Sequence, residues 1–161
     1  MTNTDSENNL IKKILNSSKI IAMIGVSSSD KNVDSKNIKR RPSIIVMKYL
    51  QEFGYKVIPV NPSAEGKKIN NETFVGKIED IKTPVDIVNV FRPSKEAAQI
   101  AKQTVKLGAK TLWLQYGIQS EEAKKIVTSK NISYIGNRCI KQEYQKLFMK
   151  MSPVFPALKA D

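Results

Sequence analysis

The chain of 161 residues carries 27 Lys and Arg against 15 Asp and Glu, with no His and a single Cys, Cys139. The missing imidazole removes His-based triads, phosphohistidine and the usual His metal sites, and one Cys excludes both an intramolecular disulfide and Cys-rich zinc sites. A formal charge of +12 suits a polyanionic partner such as nucleic acid, a membrane surface or a phosphorylated ligand, although Lys abundant beside Asn and Ile also reads as plain surface composition.

The opening "MTNTDSENNL" is polar and acidic, unlike a signal or transit peptide, and no apolar run approaches the ~20 residues of a membrane helix. The expectation is a cytoplasmic protein with no membrane partner. The length fits one domain. Residues 1–9 read as a disordered lead, 10–150 as the domain, and 151–161, with Pro153 and Pro156, as an irregular tail.

In chain order, Lys19–Ile24 is the first of five short apolar runs rich in Val and Ile. After a basic stretch over 30–41, Ser43–Phe53 places Val46, Met47, Leu50 and Phe53 on one helical face and stops at Gly54. Lys56–Val60 is the second strand. The segment Asn61–Pro84 offers only a loop, "NPSAEGKKINNETF", and a short helix around Ile78–Ile81. Val85–Phe91 is the third strand, followed by a helix over Ser94–Leu107 with Ser94 as its N-cap. Lys110–Leu114 is the fourth strand, with Trp113 in the core. Ser120–Thr128 is a helix with acids in its first turn. Ser133–Ile135 is the fifth strand, and Ile140–Lys150 the last helix.

Near-continuous apolar strands alternating with helices predict an α/β, doubly wound parallel sheet. The expected form is Rossmann-like, five-stranded, in the order 3-2-1-4-5, with helices on both faces. Ligands of such sheets sit outside the carboxyl ends of the strands, at the switch point. The loops there are Gly25-Val26-Ser27-Ser28-Ser29, Asn61-Pro62, Phe91-Arg92-Pro93, Gln115-Tyr116-Gly117 and Gly136-Asn137-Arg138-Cys139.

The first loop lacks the second Gly of a dinucleotide fingerprint, and no acid ends the second strand to hold a ribose. It is not a P-loop, and G-x-S-x-G fails because Ser29 stands in the last Gly position. What remains is a Gly-Ser turn of N–H groups and hydroxyls, with Lys31, Lys36, Lys39, Arg40 and Arg41 nearby and a helix start at Pro42-Ser43. Phosphates suit such a place, and a solvated insertion is the plain alternative. Arg92 reads as an isolated fork donor at the ligand edge, while Phe91 is either a stacking face or core. Cys139 is either a packing residue or a reactive thiol at a helix start. No paired carboxylates stand at these strand ends, so no catalytic residue and no metal ligand is assigned, and the reading leans away from an enzyme.

The segments "IAMIGVSSS", "RPSIIVMKYLQEFGYKVIPVNP", "VDIVNVFRPSKEA", "GAKTLWLQYGI" and "NRCIKQEYQKL" together resemble the single-domain bacterial CoA-binding proteins of YccU-like type. The resemblance runs from about Lys19 to Leu147, with a longer basic insert between Ser29 and Arg41. That family is similar to the CoA-binding domain of succinyl-CoA synthetase α-subunits and acyl-CoA ligases, whose phosphohistidine chemistry does not transfer to a chain without His. The resemblance implies coenzyme A or an acyl-CoA as ligand, with phosphates on Gly25, Val26, Ser27 and Ser28 and near Ser43. It implies the adenine nucleotide by Asn61 and Pro62, with Lys67 or Lys68 as a phosphate partner. Phe91 and Arg92 would continue that edge, and Gln115, Tyr116 and Gly117 would meet the pantetheine. A non-catalytic CoA-binding or sensing module is the leading expectation. An NAD(P)-binding enzyme or regulator is the alternative, and a nucleic-acid-binding basic protein, without an RNA-binding motif, comes third.

Overall fold

The computed structural model describes residues 3–27 and 42–149. Ser28, the basic stretch 30–41 and the tail 151–161 lie outside the described residues. At the centre of the sheet is β1 (Ile20–Ile24), with β2 (Lys56–Val60) in parallel on one side. On its other side runs β5 (Ile87–Val90), and beyond it β6 (Thr111–Leu114) and β7 (Ser133–Ile135), all parallel. The short pair β3 (Lys68–Ile69) and β4 (Glu72–Thr73) forms a separate antiparallel hairpin.

Strand side chains alternate between two cores, as the twofold period of a strand dictates. Ile21, Met23, Val57, Ile87, Trp113 and Ile135 enter one core together with Ile11 and Ile14 of α1 (Asn3–Ser17) and Val46 and Met47 of α2 (Pro42–Glu52). Ala22, Ile58, Val88, Leu112 and Leu114 enter the other, against Ile100 of α3 (Ala97–Leu107) and Val127 of α4 (Glu121–Thr128). The last helix, α5 (Ile140–Tyr144), continues as a π turn over Gln145–Met149 and packs on the first core. Among the described residues no helix is long and apolar enough to cross a membrane.

The fold class is the expected one, an α/β Rossmann-like sheet with helices on both faces, but the strand order differs. The observed order is β2-β1-β5-β6-β7, so the third long strand pairs with β1 rather than with β2. In the five-strand count this is 2-1-3-4-5, not 3-2-1-4-5. The reason is a matter of occupancy. The outer edge of β2 is covered by the segment that looks like a loop in sequence: Val75 bridges Val60, its N–H donates to Pro59 O (2.9 Å), and its carbonyl accepts from Asn61 N (3.0 Å). Lys56 Nζ closes the same edge on Glu72 Oε1 at 2.8 Å. With that edge taken, the chain crosses back over the sheet and adds β5 beside β1. The reversal puts the switch point between β1 and β5.

Two local expectations change as well. A helix begins at Asn3 where a disordered lead was expected, because Ile11, Ile14 and Leu15 recur at helical spacing and are buried, and the helix extends through the polar residues before them. Ser94 does not cap α3. Residues Ser94–Glu96 form a 3-10 turn, and the Ser94 hydroxyl instead accepts from Gln119 N (3.1 Å). Ser120 does cap α4, accepting from Ala123 N at 3.1 Å.

Asp86 clamps the strand starts on which this register depends. Its Oδ2 accepts from Lys19 N (2.8 Å) and Ile20 N (3.0 Å), its Oδ1 lies 3.6 Å from Lys110 Nζ, and its backbone carbonyl accepts from Thr111 N. Partial burial pushes its carboxyl upward, but the two N–H donors and Lys110 outweigh that and hold it below the usual carboxylate range. A depressed folded value means the contribution is complete above the unfolded value of about 3.9 and is lost as pH falls through the folded one. Asp86→Asn is expected to cost about 1–2 kcal/mol at pH 7. It should also flatten the fall of the urea midpoint below about pH 4. Parallel acid limbs in the two proteins would assign that limb to other carboxylates.

Candidate functional site

The strand ends build the site around one turn. Gly25 follows β1 with φ +90°, donates its N–H to Val60 O (3.0 Å) and lies under the start of the loop after β5. A Cβ at this position would sit 2.9 Å from Phe91 O and 2.9 Å from Arg92 Cδ. Glycine is therefore required twice over, by the dihedral and by the space. Beyond it, Ser27 N donates to the buried hydroxyl of Ser43 (3.1 Å), which ties the turn to the first residues of α2. Asn61 locks the other side. Its Nδ2 donates to Val26 O (2.9 Å) and its Oδ1 accepts from Ser63 N (2.9 Å), capping the 3-10 turn Pro62–Ala64.

Two cavities open on either side of this turn. The first, about 330 Å³, is lined by Gly25, Asn61, Pro62, Ser63, Lys77 and Arg92 among others. The second, about 660 Å³, is lined by Pro42, Phe91, Gln115, Tyr116, Ile118, Cys139 and Gln142. Successive residues at the end of β5 point to opposite sides, so Phe91 and Arg92 serve different cavities. Of the residues expected from sequence, Gly25, Asn61, Pro62 and Arg92 meet at the first cavity, and Phe91, Gln115 and Tyr116 at the second.

The remaining expected residues are placed differently. The Val26 side chain is fully buried, leaving its backbone for the loop. Ser27 N is held by the Ser43 hydroxyl, and neither residue lines either cavity. Gly117 donates its N–H to Asn137 Oδ1 (2.6 Å) and lines neither cavity. Lys67 is exposed on the hairpin side and also lines neither. The lysine at the first cavity is Lys77.

Arg92 is not the isolated fork expected from sequence. Its Nε and Nη2 donate to Glu96 Oε1 (3.1 Å) and Oε2 (2.8 Å). These bonds hold the Glu96 carboxyl below its ordinary range and raise the guanidinium above its own. Glu96, Lys77, Ser63 and Gln103 are the polar lining residues that sequence reasoning missed. The spacing of Arg92 and Glu96, four residues apart, is the one signal that could have found the pair.

The second cavity has a fixed polar floor. Gln115 is buried, and its Oε1 accepts from Asn89 Nδ2 (3.1 Å) and from Ile140 N (3.0 Å). Tyr116, 75% exposed, is a free aromatic face at the rim. Cys139 is half-buried, packing on the first core while lining this cavity. Trp113 is core, fully buried, and donates Nε1–H to Arg138 O at 2.8 Å.

A family model described as CoA binding domain matches residues 19–145, from the start of β1 to the π turn. The chain belongs to that family. It is 35% identical over 131 residues to the uncharacterized protein YneT of Bacillus subtilis (strain 168), covering 81% of this chain and 89% of that one. Among solved structures, it is similar to cell-free ID.343 from Thermus thermophilus, with TM-score 0.78 and 32% identity, covering 88% of this chain and 98% of that one. A hypothetical protein from Pyrococcus horikoshii OT3 superposes with TM-score 0.76 at 32% identity, covering 87% and 91% of the two chains. This family membership suggests a CoA-binding module.

Gly25→Ala tests the turn on which both cavities depend. The strained dihedral and the contact with Phe91 O are expected to cost more than about 1 kcal/mol of stability. Urea unfolding checks it. An unchanged midpoint would show that the Phe91–Arg92 loop yields freely.

Proposed function

We propose that this protein binds coenzyme A, free or acylated, across the carboxyl edge of its sheet, and that it acts as a binding or sensing module rather than as a catalyst. The observation that carries the reading is the first cavity. The Gly25 turn, the Asn61–Ser63 corner, Lys77 and Arg92 converge there on a space within the ~300–1,000 Å³ range of ligand pockets. Two cations, Lys77 and Arg92, at the carboxyl edge of such a sheet suit a phosphorylated nucleotide. Membership in the CoA binding domain family supports the choice of nucleotide.

On this reading the nucleotide end lies by Asn61 and Pro62, with Lys77 taking the part that the resemblance implies for Lys67 or Lys68. The diphosphate lies on the turn Gly25–Ser27, and the pantetheine arm passes over Phe91 towards Gln115 and Tyr116. The side chains lining the first cavity include one carboxylate, Glu96, and its oxygens are engaged by Arg92, which supports binding rather than acid–base work.

Ligand-dependent melting with CoA, acetyl-CoA, NAD, NADP, ATP and RNA tests the assignment. CoA at 100 times its dissociation constant is expected to add roughly 2.7 kcal/mol of stability. Ser27→Asp sets a like charge at the phosphate turn and should abolish that gain while leaving the unliganded melt within about 0.5 kcal/mol. Tight NAD binding with no heat and no thermal shift from CoA would replace this reading with the dinucleotide one.

A further inference from the structure

The floor of the second cavity is an amide whose direction the backbone sets. Gln115 is only 5% exposed, and its Oε1 accepts from Ile140 N (3.0 Å) and Asn89 Nδ2 (3.1 Å). Ile140 N is a backbone donor, so the Gln115 atom that meets it is the oxygen. Turning the amide over would set N–H against N–H. The arrangement has a cost: Asn89, fully buried, uses its Nδ2 on Gln115 and leaves its Oδ1 sealed without a partner. It also leaves Gln115 Nε2 with no acceptor among the described residues. Nε2 is not one of the polar atoms sealed from solvent, and Gln115 lines the second cavity, so its N–H groups are what the floor presents there.

We propose that Gln115 Nε2 is a carbonyl-recognition point, and that the second cavity takes the part of a ligand that carries an amide or thioester carbonyl. No Lys or Arg stands among the described lining residues, so a charged acceptor would go unneutralised there. A hydroxyl brings a hydrogen that needs an acceptor of its own, and a plain alkyl chain leaves the N–H unmet. A carbonyl supplies the acceptor alone, and the planar group that bears it suits the aromatic rings of Phe91 and Tyr116. A donor held in place on a largely buried side chain discriminates against ligands that offer it nothing. Gln115 is then a specificity-determining residue that touches the ligand. The inference rests on the proposed function, in which the carbonyl is one of the pantetheine amides or that of an acyl thioester.

Calorimetry at about pH 8 on wild type and Gln115→Glu tests this, since Glu keeps an oxygen for Ile140 N and Asn89 Nδ2 and, ionised, replaces the donor by an acceptor. Two pairs of probes differ in a carbonyl. CoA is set against its armless nucleotide, adenosine 3′-phosphate 5′-diphosphate, and acetyl-CoA against S-ethyl-CoA, which lacks the thioester carbonyl. In at least one pair the carbonyl-bearing member is expected to bind wild type about tenfold tighter or more. Gln115→Glu should erase most of that preference while moving the armless nucleotide less than about twofold. Loss in the first pair assigns the bond to an arm amide, and loss in the second alone assigns it to the thioester. Should the variant not fold, the Gln115 side-chain amide protons of nitrogen-15-labelled wild type should move downfield with CoA or acetyl-CoA and stay in place with the armless nucleotide. No movement with either overturns the proposal. A variant that keeps both preferences, or that weakens CoA and the armless nucleotide alike, overturns it while CoA binding stands. If CoA gives no heat and NAD binds, NAD against ADP-ribose repeats the comparison through the nicotinamide carboxamide. A preference lost there in Gln115→Glu keeps the carbonyl donor and overturns the CoA reading. No binding by any of these probes overturns both.

Discussion

The missing side chain of Gly25 is the constraint on which the ligand edge depends. Its backbone is wedged between the ends of β2 and β5, donating to Val60 O on one side and lying against Phe91 and Arg92 on the other. Any Cβ there would separate β1 from β5 at the point where the sheet reverses direction. Because the strands stay in register up to this turn, the loops that follow emerge at fixed heights. Asn61 can then reach back to Val26 O and Ser43 forward to Ser27 N. Three loops from distant parts of the chain are thereby fastened by their own hydrogen bonds before any ligand arrives. Such preorganisation lowers the ordering cost of binding.

The same geometry explains why the edge carries two cavities of different character. One belongs to the face of α3, where Arg92 and Lys77 make it cationic. The other belongs to the face of α1, α2 and α5, where Phe91, Tyr116 and Ile118 give it aromatic and apolar walls over the Gln115 amide. The edge thus sets a cationic cavity beside an aromatic and apolar one. The alternation of a strand end, charged residue one way and aromatic the other, builds that asymmetry from two consecutive residues.

Much of this was legible in the sequence, and the physical reasons for the rest are specific. Lys56–Val60 and Ser133–Ile135 coincide with observed strands because buried parallel strands announce themselves by apolar, β-branched runs. Gly25 and Asn61 were readable as the first residues past their strands. The strand order was not, because it is decided by a hairpin of two-residue strands that leave no hydrophobic period. Its one local signal is Asn70-Asn71, both with positive φ (49° and 68°), the kind of pair that tight hairpin turns favour. The hairpin also carries Lys67 away from the first cavity, which Lys77 lines instead. The lead before residue 10 was misread because polarity alone says nothing against helix extension from an anchored apolar stripe.

The hairpin has a consequence for the molecule's behaviour among its own copies. A parallel sheet with a bare edge offers unpaired N–H and C=O groups to any strand that drifts by, and proteins avoid aggregation by blunting such edges. Here β2 is blunted by downstream residues of the same chain, with Val75 pairing at its end and Lys56 turned onto Glu72. The opposite edge, β7, is only three residues long. Among the described residues, neither border offers a long bare edge for edge-to-edge growth. Loss of the hairpin would expose a Val- and Ile-bearing strand and turn a solubility safeguard into a seed.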